Sequence, residues 1–136
     1  MLSMKDIRQY VSDLGIAADD NVYIGKLDNK VPKSIGVYSR STSGQLTAPI
    51  GGFEFGTYGV RPVSILVHWT KRTVEAEKAA FDLFEKLKLS GQITIGGSRA
   101  YIRLMVPEPQ DVGTDDAGVF EYVIWADFIY NERKGE

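Results

Sequence analysis

The chain has no cysteine. Disulfides, thiolate nucleophiles and cysteine-based metal sites are therefore excluded, which fits a reducing compartment without proving one. It has a single histidine, His68. It lacks any apolar run near the roughly 18 residues a membrane helix needs, and its opening, MLSMKDIRQYV, lacks the apolar core of a secretion signal. A basic excess is missing too. The formal net charge is -2, and the only Lys/Arg clusters are the pairs Lys71-Arg72 and Arg133-Lys134. Neither membrane association nor specific nucleic-acid binding is expected. What remains, 136 residues with ordinary apolar content, suffices for one domain spanning residues 1–136 with a real core.

The chain reads as two helices set among strands. Ser3, with Asp6 three residues on, is a helix start. Leu2 and Ile7 bracket it, and Met4, Ile7, Val11 and Leu14 form one stripe over residues 4–14. Residues 21–27, 34–40 and 61–69 read as strands; the last alternates Val63, Ile65, Val67 and Trp69 against Ser64, Leu66 and His68. A second helix starts at a Thr73 cap, buries Ala76, Ala80, Leu83 and Leu87 with Phe81 and Phe84 widening the stripe, pairs Asp82 with Lys86, and ends at Gly91. A hairpin over QITI and RAYIRLMV turns at Gly96-Gly97-Ser98, and residues 119–130 form a final strand. The order α-β-β-β-α-β-β-β implies an α+β fold, a largely antiparallel sheet with both helices on one face. Residues 131–136 are expected to fray.

Two polar stretches are too long for simple connections. One, between the second and third strands, contains Gly51-Gly52-Phe53-Glu54-Phe55-Gly56; its phenylalanines suit an interface anchor. The other, VPEPQDVGTDDAGVF, separates two apolar runs. It is expected to project from the domain as an acidic arm carrying Pro107, Glu108, Pro109, Asp111, Asp115 and Asp116, its prolines limiting the entropy lost on docking.

Chemistry is hard to find. His68 faces away from the apolar side of its strand, with no nucleophile or orienting carboxylate beside it in sequence, so it reads as a packed or surface histidine. Counted from Asp111, the sixth position is Asp116 and the twelfth Tyr122; a calcium loop needs Gly and Glu there. The carboxylates of this stretch read as solvated turn residues. Gly51-Gly52 and Gly96-Gly97 lack the Lys-Ser/Thr that a phosphate loop requires. No catalytic residue, metal site or cofactor is expected. On the last strand, Phe120, Tyr122, Ile124, Ala126, Phe128 and Tyr130 make a core face. The opposite face mixes Val123, Trp125 and Ile129 with Glu121 and Asp127, as suits a sheet side that meets a partner.

Several stretches together resemble a family of short minor capsid proteins from phages and prophages of Gram-positive bacteria: YIGKLDNKVPKSIGVY, PIGG at residues 49–52, SILVHWTKRTVEAEKAAFDLFEKL, and above all VPEPQDVGTDDAGVFEYVI. The resemblance spans residues 23–130 and extends in layout to phage tail terminators. It implies a structural virion protein at the head–tail junction, assembled in the bacterial host cytoplasm. It implies a homo-oligomer, expected as a hexameric ring, that caps the tail tube, stops its polymerisation and meets the head connector or stopper proteins. A head-completion or stopper protein bridging portal and tail is the alternative. A ring uses two different surfaces of each subunit; Phe53, Glu54 and Phe55 are one candidate, Val123, Trp125 and Ile129 another. The acidic arm is then expected to reach the lumen or the tube.

Overall fold

The structure, a computed structural model, describes residues 2–40 and 58–131. Helix α1 (Met4–Asp13) starts at Ser3, whose hydroxyl accepts from the Asp6 N–H at 3.1 Å while the Asp6 carboxylate accepts from the Ser3 N–H at 3.4 Å. This reciprocal cap satisfies two donors that the first turn leaves open. A single 3₁₀ turn, Asp19–Asn21, leads into β1 (Val22–Ile24) and β2 (Ser34–Ser39). Then come β3 (Tyr58–His68), α2 (Thr73–Lys88), β4 (Gln92–Ile95), β5 (Ser98–Leu104), β6 (Gln110–Thr114) and β7 (Phe120–Asn131).

The strands form one seven-stranded sheet in the order β1-β2-β3-β7-β5-β4, with β6 also paired to β7. β1 and β2 run parallel; the other pairs are antiparallel. The α+β reading with a largely antiparallel sheet is therefore observed. Both helices contribute to one core. Ile7 and Val11 of α1 and Ala76, Ala80, Leu83 and Leu87 of α2 are buried in the same cluster as Val37, Val63, Ile65, Val67, Ile124, Ala126 and Phe128. Tyr10 of α1 meets Phe128 edge-on, at 6.4 Å between ring centroids, and its hydroxyl bonds Ser90 Oγ. That contact ties the first helix to the last strand.

Pro62 lies inside the central strand β3, where a missing N–H is usually costly. Its carbonyl accepts from the Arg40 N–H at 3.0 Å. In an antiparallel ladder a residue's N–H and C=O point to the same neighbour, so the missing donor faces the side on which β2 stops at Ser39. No rung is lost.

Three details of α2 differ from expectation. Arg72 rather than Thr73 is the N-cap, and Thr70 Oγ1 accepts from the Arg72 N–H at 3.2 Å. Phe81 is exposed because Ala76, Ala79, Ala80, Leu83, Phe84 and Leu87 already fill the sheet-facing stripe. Asp82 pairs with Lys78 at 3.0 Å instead of Lys86.

The largest departure is the acidic stretch. It is not an arm reaching out of the domain. Gln110–Thr114 forms β6 on the same edge of β7 as β5: Leu104 pairs with Ala126, and Gln110 with Val123. β5 and β6 are two halves of one strand, and residues 105–109 bulge between them opposite Ile124 and Trp125. Pro107 and Pro109 sit in that bulge, where no ladder bond is demanded of them. The two glycines and three aspartates made this segment read as loop. Gly113 takes the positive φ beside the second bulge, with Asp111 Oδ1 accepting its N–H at 2.8 Å. Asp115 and Gly118 close the turn into β7. Asn131, expected to fray, still belongs to β7; residues 132–136 lie outside the described residues.

Gly59 faces Tyr130 across β3 and β7, and an added Cβ would fall 2.6 Å from Tyr130 Cε2. Gly59→Ala is expected to lower stability by about 1–3 kcal/mol through overpacking. A denaturant midpoint shifted down at unchanged slope would register it; an unchanged midpoint would mean that the Tyr130 ring moves aside freely.

Candidate functional site

The two helices cover one face of the sheet; among the described residues no helix covers the other. The cross-strand rows of that open face follow from the register. Val60, Ile129 and Tyr101 form one row; Pro62, Asp127 and Arg103 the next; Ser64 and Trp125 the third; Leu66, Val123 and Gln110 the fourth. Large apolar side chains stand exposed on it: Tyr58 at 46%, Val60 at 48%, Tyr101 at 49% and Trp125 at 46%. An exposed apolar cluster of this kind is the usual mark of a contact surface.

A buried ion network underlies the cluster. Asp127 is only 5% exposed. Its Oδ1 accepts from Arg40 Nη2, and its Oδ2 accepts from Arg103 Nη2 at 3.0 Å. The Arg40 guanidinium also lies 5.3 Å from the centroid of the Trp125 ring, an attractive cation–π placement. Asp127 thus holds Arg40, and Arg40 supports the indole.

At the far end of the same face the sequence reading missed a second constellation. His68 and Glu121 are direct cross-strand partners on β3 and β7. His68 is fully buried, with Nδ1 2.8 Å from Glu121 Oε2 and Nε2 3.2 Å from the Asn29 carbonyl oxygen. A carbonyl only accepts, so Nε2 carries a hydrogen and donates it to Asn29. Asp115 arrives from the β6–β7 turn. Its Oδ1 accepts from the N–H groups of Ala117 and Val119, both at 2.9 Å, and its Oδ2 stands 3.8 Å from His68 Nδ1. The Val119 N–H, with help from those of Ala117 and Gly118 and from the nearby imidazole, holds the Asp115 carboxyl below the usual carboxylate range against the opposing effect of desolvation. Beside this cluster opens a cavity of about 670 Å³ lined by Asn29, Lys30, Thr70, Lys71, Asp115 and Asp116. Among the described residues neither ring nitrogen of His68 meets a hydroxyl, so the arrangement has no nucleophile–base pair. One nitrogen and two carboxylate oxygens converging on a point suit a metal ion instead.

The expected site residues divide as follows. Trp125 is exposed on the open face, Val123 is half-buried on it, and Ile129 is 9% exposed between Val60 and Tyr101. Pro107 and Glu108 are exposed in the bulge, whereas Pro109 is buried. Asp111 and Asp116 are exposed; Asp115 belongs to the histidine cluster. Phe53, Glu54 and Phe55 lie outside the described residues. The pairing of residue 68 with residue 121 depends on strand register, which no local pattern carries. The alternation did place both residues on the polar sides of their strands, the one available signal. No protein-family model matches the chain, and no curated protein or solved structure matches it at a significant level.

Proposed function

We propose that this chain is a structural, non-catalytic virion protein that assembles into a ring at the head–tail junction of a phage, capping the tail tube. The reading rests on the resemblance carried by YIGKLDNKVPKSIGVY and VPEPQDVGTDDAGVFEYVI. The observation that carries it at the level of geometry is the open sheet face, with Tyr58, Val60, Tyr101 and Trp125 exposed together. A closed ring joins unlike surfaces, so each subunit must offer a second patch. The outer side of α2 offers one: Val74, 74% exposed, and Phe81, 37% exposed, are seven residues apart on one helical stripe. The sheet face of one subunit against the helix of the next would bury both and leave the ring's two rims for tube and head. No turnover is involved.

Mass measurement and particle imaging of the purified protein, alone and mixed with tail-tube protein, test this. Rings, formed alone or only on tube ends, are the expected result. A protein that stays monomeric at every concentration and ignores both tubes and tailless heads would overturn it. Binding to heads without tubes would favour the head-completion alternative.

A further inference from the structure

We propose that His68, Asp115 and Glu121 form a binding site for one divalent transition-metal ion of the zinc or manganese type. The three ligand atoms, His68 Nδ1, Asp115 Oδ2 and Glu121 Oε2, all lie within 4.8 Å of one another. Donors held at about 2.1 Å around one tetrahedral ion stand about 3.4 Å apart, so the observed 2.8 Å and 3.8 Å separations from Nδ1 need only small carboxylate rotations.

His68 and Asp115 are already oriented by groups that are not themselves ligands. His68 is fully buried and donates Nε2–H to the Asn29 carbonyl, which turns Nδ1 toward the carboxylates. Metal-bound imidazoles are held by this kind of outer hydrogen bond. Asp115 has one oxygen committed to the Ala117 and Val119 amides, and the other is left aimed inward. Glu121 is fixed opposite His68 by the ladder. The charge balances as well: the hydrogen that Nδ1 gives to Glu121 leaves as the ion enters, two carboxylates offset a dication, and the imidazole, then neutral, supplies the nitrogen that favours a transition metal over magnesium or calcium. Further coordination positions would face the cavity beside Thr70 and Asp116. Bound there, an ion would join the end of β3, the β6–β7 turn and the start of β7, pinning the turn. The inference does not depend on the virion reading.

The chain has one histidine and no cysteine, which makes the test clean. Untagged full-length protein is dialysed against zinc and its metal content measured. One ion per chain is expected, with the single imidazole's Nδ1 resonance shifted on zinc addition while Nε2 keeps its proton, and with magnesium unable to compete. Asp115→Asn and Glu121→Gln are each expected to weaken binding at least about 10-fold. The resonance experiment uses the unaltered chain, so it decides even if a variant folds poorly. No stoichiometric uptake, an unmoved Nδ1 resonance, or uptake unchanged in the two variants would overturn the site and leave His68–Glu121 as a structural ion pair only.

Discussion

Trp125→Glu is expected to leave the chain folded and to abolish self-assembly. Trp125 is 46% exposed on the open sheet face and makes no part of the buried core. Its loss therefore removes little folding energy. In an interface the same indole becomes a buried anchor, and truncating such an anchor typically costs 2 kcal/mol or more, about 30-fold in affinity for each contact. Every subunit of a ring makes that contact, so the loss repeats around the ring. The added carboxylate, even beside Arg40, must also shed its water on docking. Circular dichroism and thermal melting should match the unaltered protein while the assembled species disappears. Lys5→Ala, on the exposed side of α1, serves as the surface control. Intact rings in Trp125→Glu would show that subunits meet elsewhere and that the open face serves another purpose.

The helices and the long strands were legible because each is decided locally. Ser3 and Asp6 declare a helix start, and Ile124, Ala126 and Phe128 alternate cleanly against the rest of β7. The β5–β6 segment was not legible for a physical reason. Pro107, Pro109, Gly113 and Gly118 are residues that end strands almost everywhere, yet here they occupy two bulges and a turn while Gln110–Thr114 still bonds β7. Side chains of β6 are exposed along its whole length, so no alternation of apolar residues betrays the strand. Its existence is dictated by the length of β7, which leaves backbone groups to satisfy beyond the end of β5. The acidic residues that looked like docking charges are largely consumed by this geometry: Asp111 serves a bulge and Asp115 a turn. The open face was half legible. Val123, Trp125 and Ile129 were on it, but the neighbouring Val60 and Tyr101 enter only through register. The histidine cluster was invisible for the same reason, since residues 68, 115 and 121 meet only once β3 and β7 are aligned.

The largest effect on stability is expected at Asp127. Its carboxylate is 5% exposed and bonded to two arginines of very different environment: the Arg40 side chain is 14% exposed and that of Arg103 is 58% exposed. Asp127→Ala would strand Arg40, whose charge has lost its water and would then lose its counter-ion. Breaking a buried pair in this way costs about 3–5 kcal/mol, a large share of the 5–15 kcal/mol typical of a domain. Arg103→Ala should cost under about 1 kcal/mol, because an exposed partner is already solvated. The contrast between the two variants separates a buried-charge effect from a general loss of contacts. Replacing both members, Arg40→Met with Asp127→Leu, should recover most of the loss in Asp127→Ala, since an apolar pair leaves no charge unpaired. Equal, small effects for Asp127→Ala and Arg103→Ala in denaturant unfolding would mean that Arg40 reaches water when released. If the recovered double variant also assembles poorly, the pair's role lies in holding the guanidinium against Trp125, and the network beneath the open face belongs to the interface as much as to the fold.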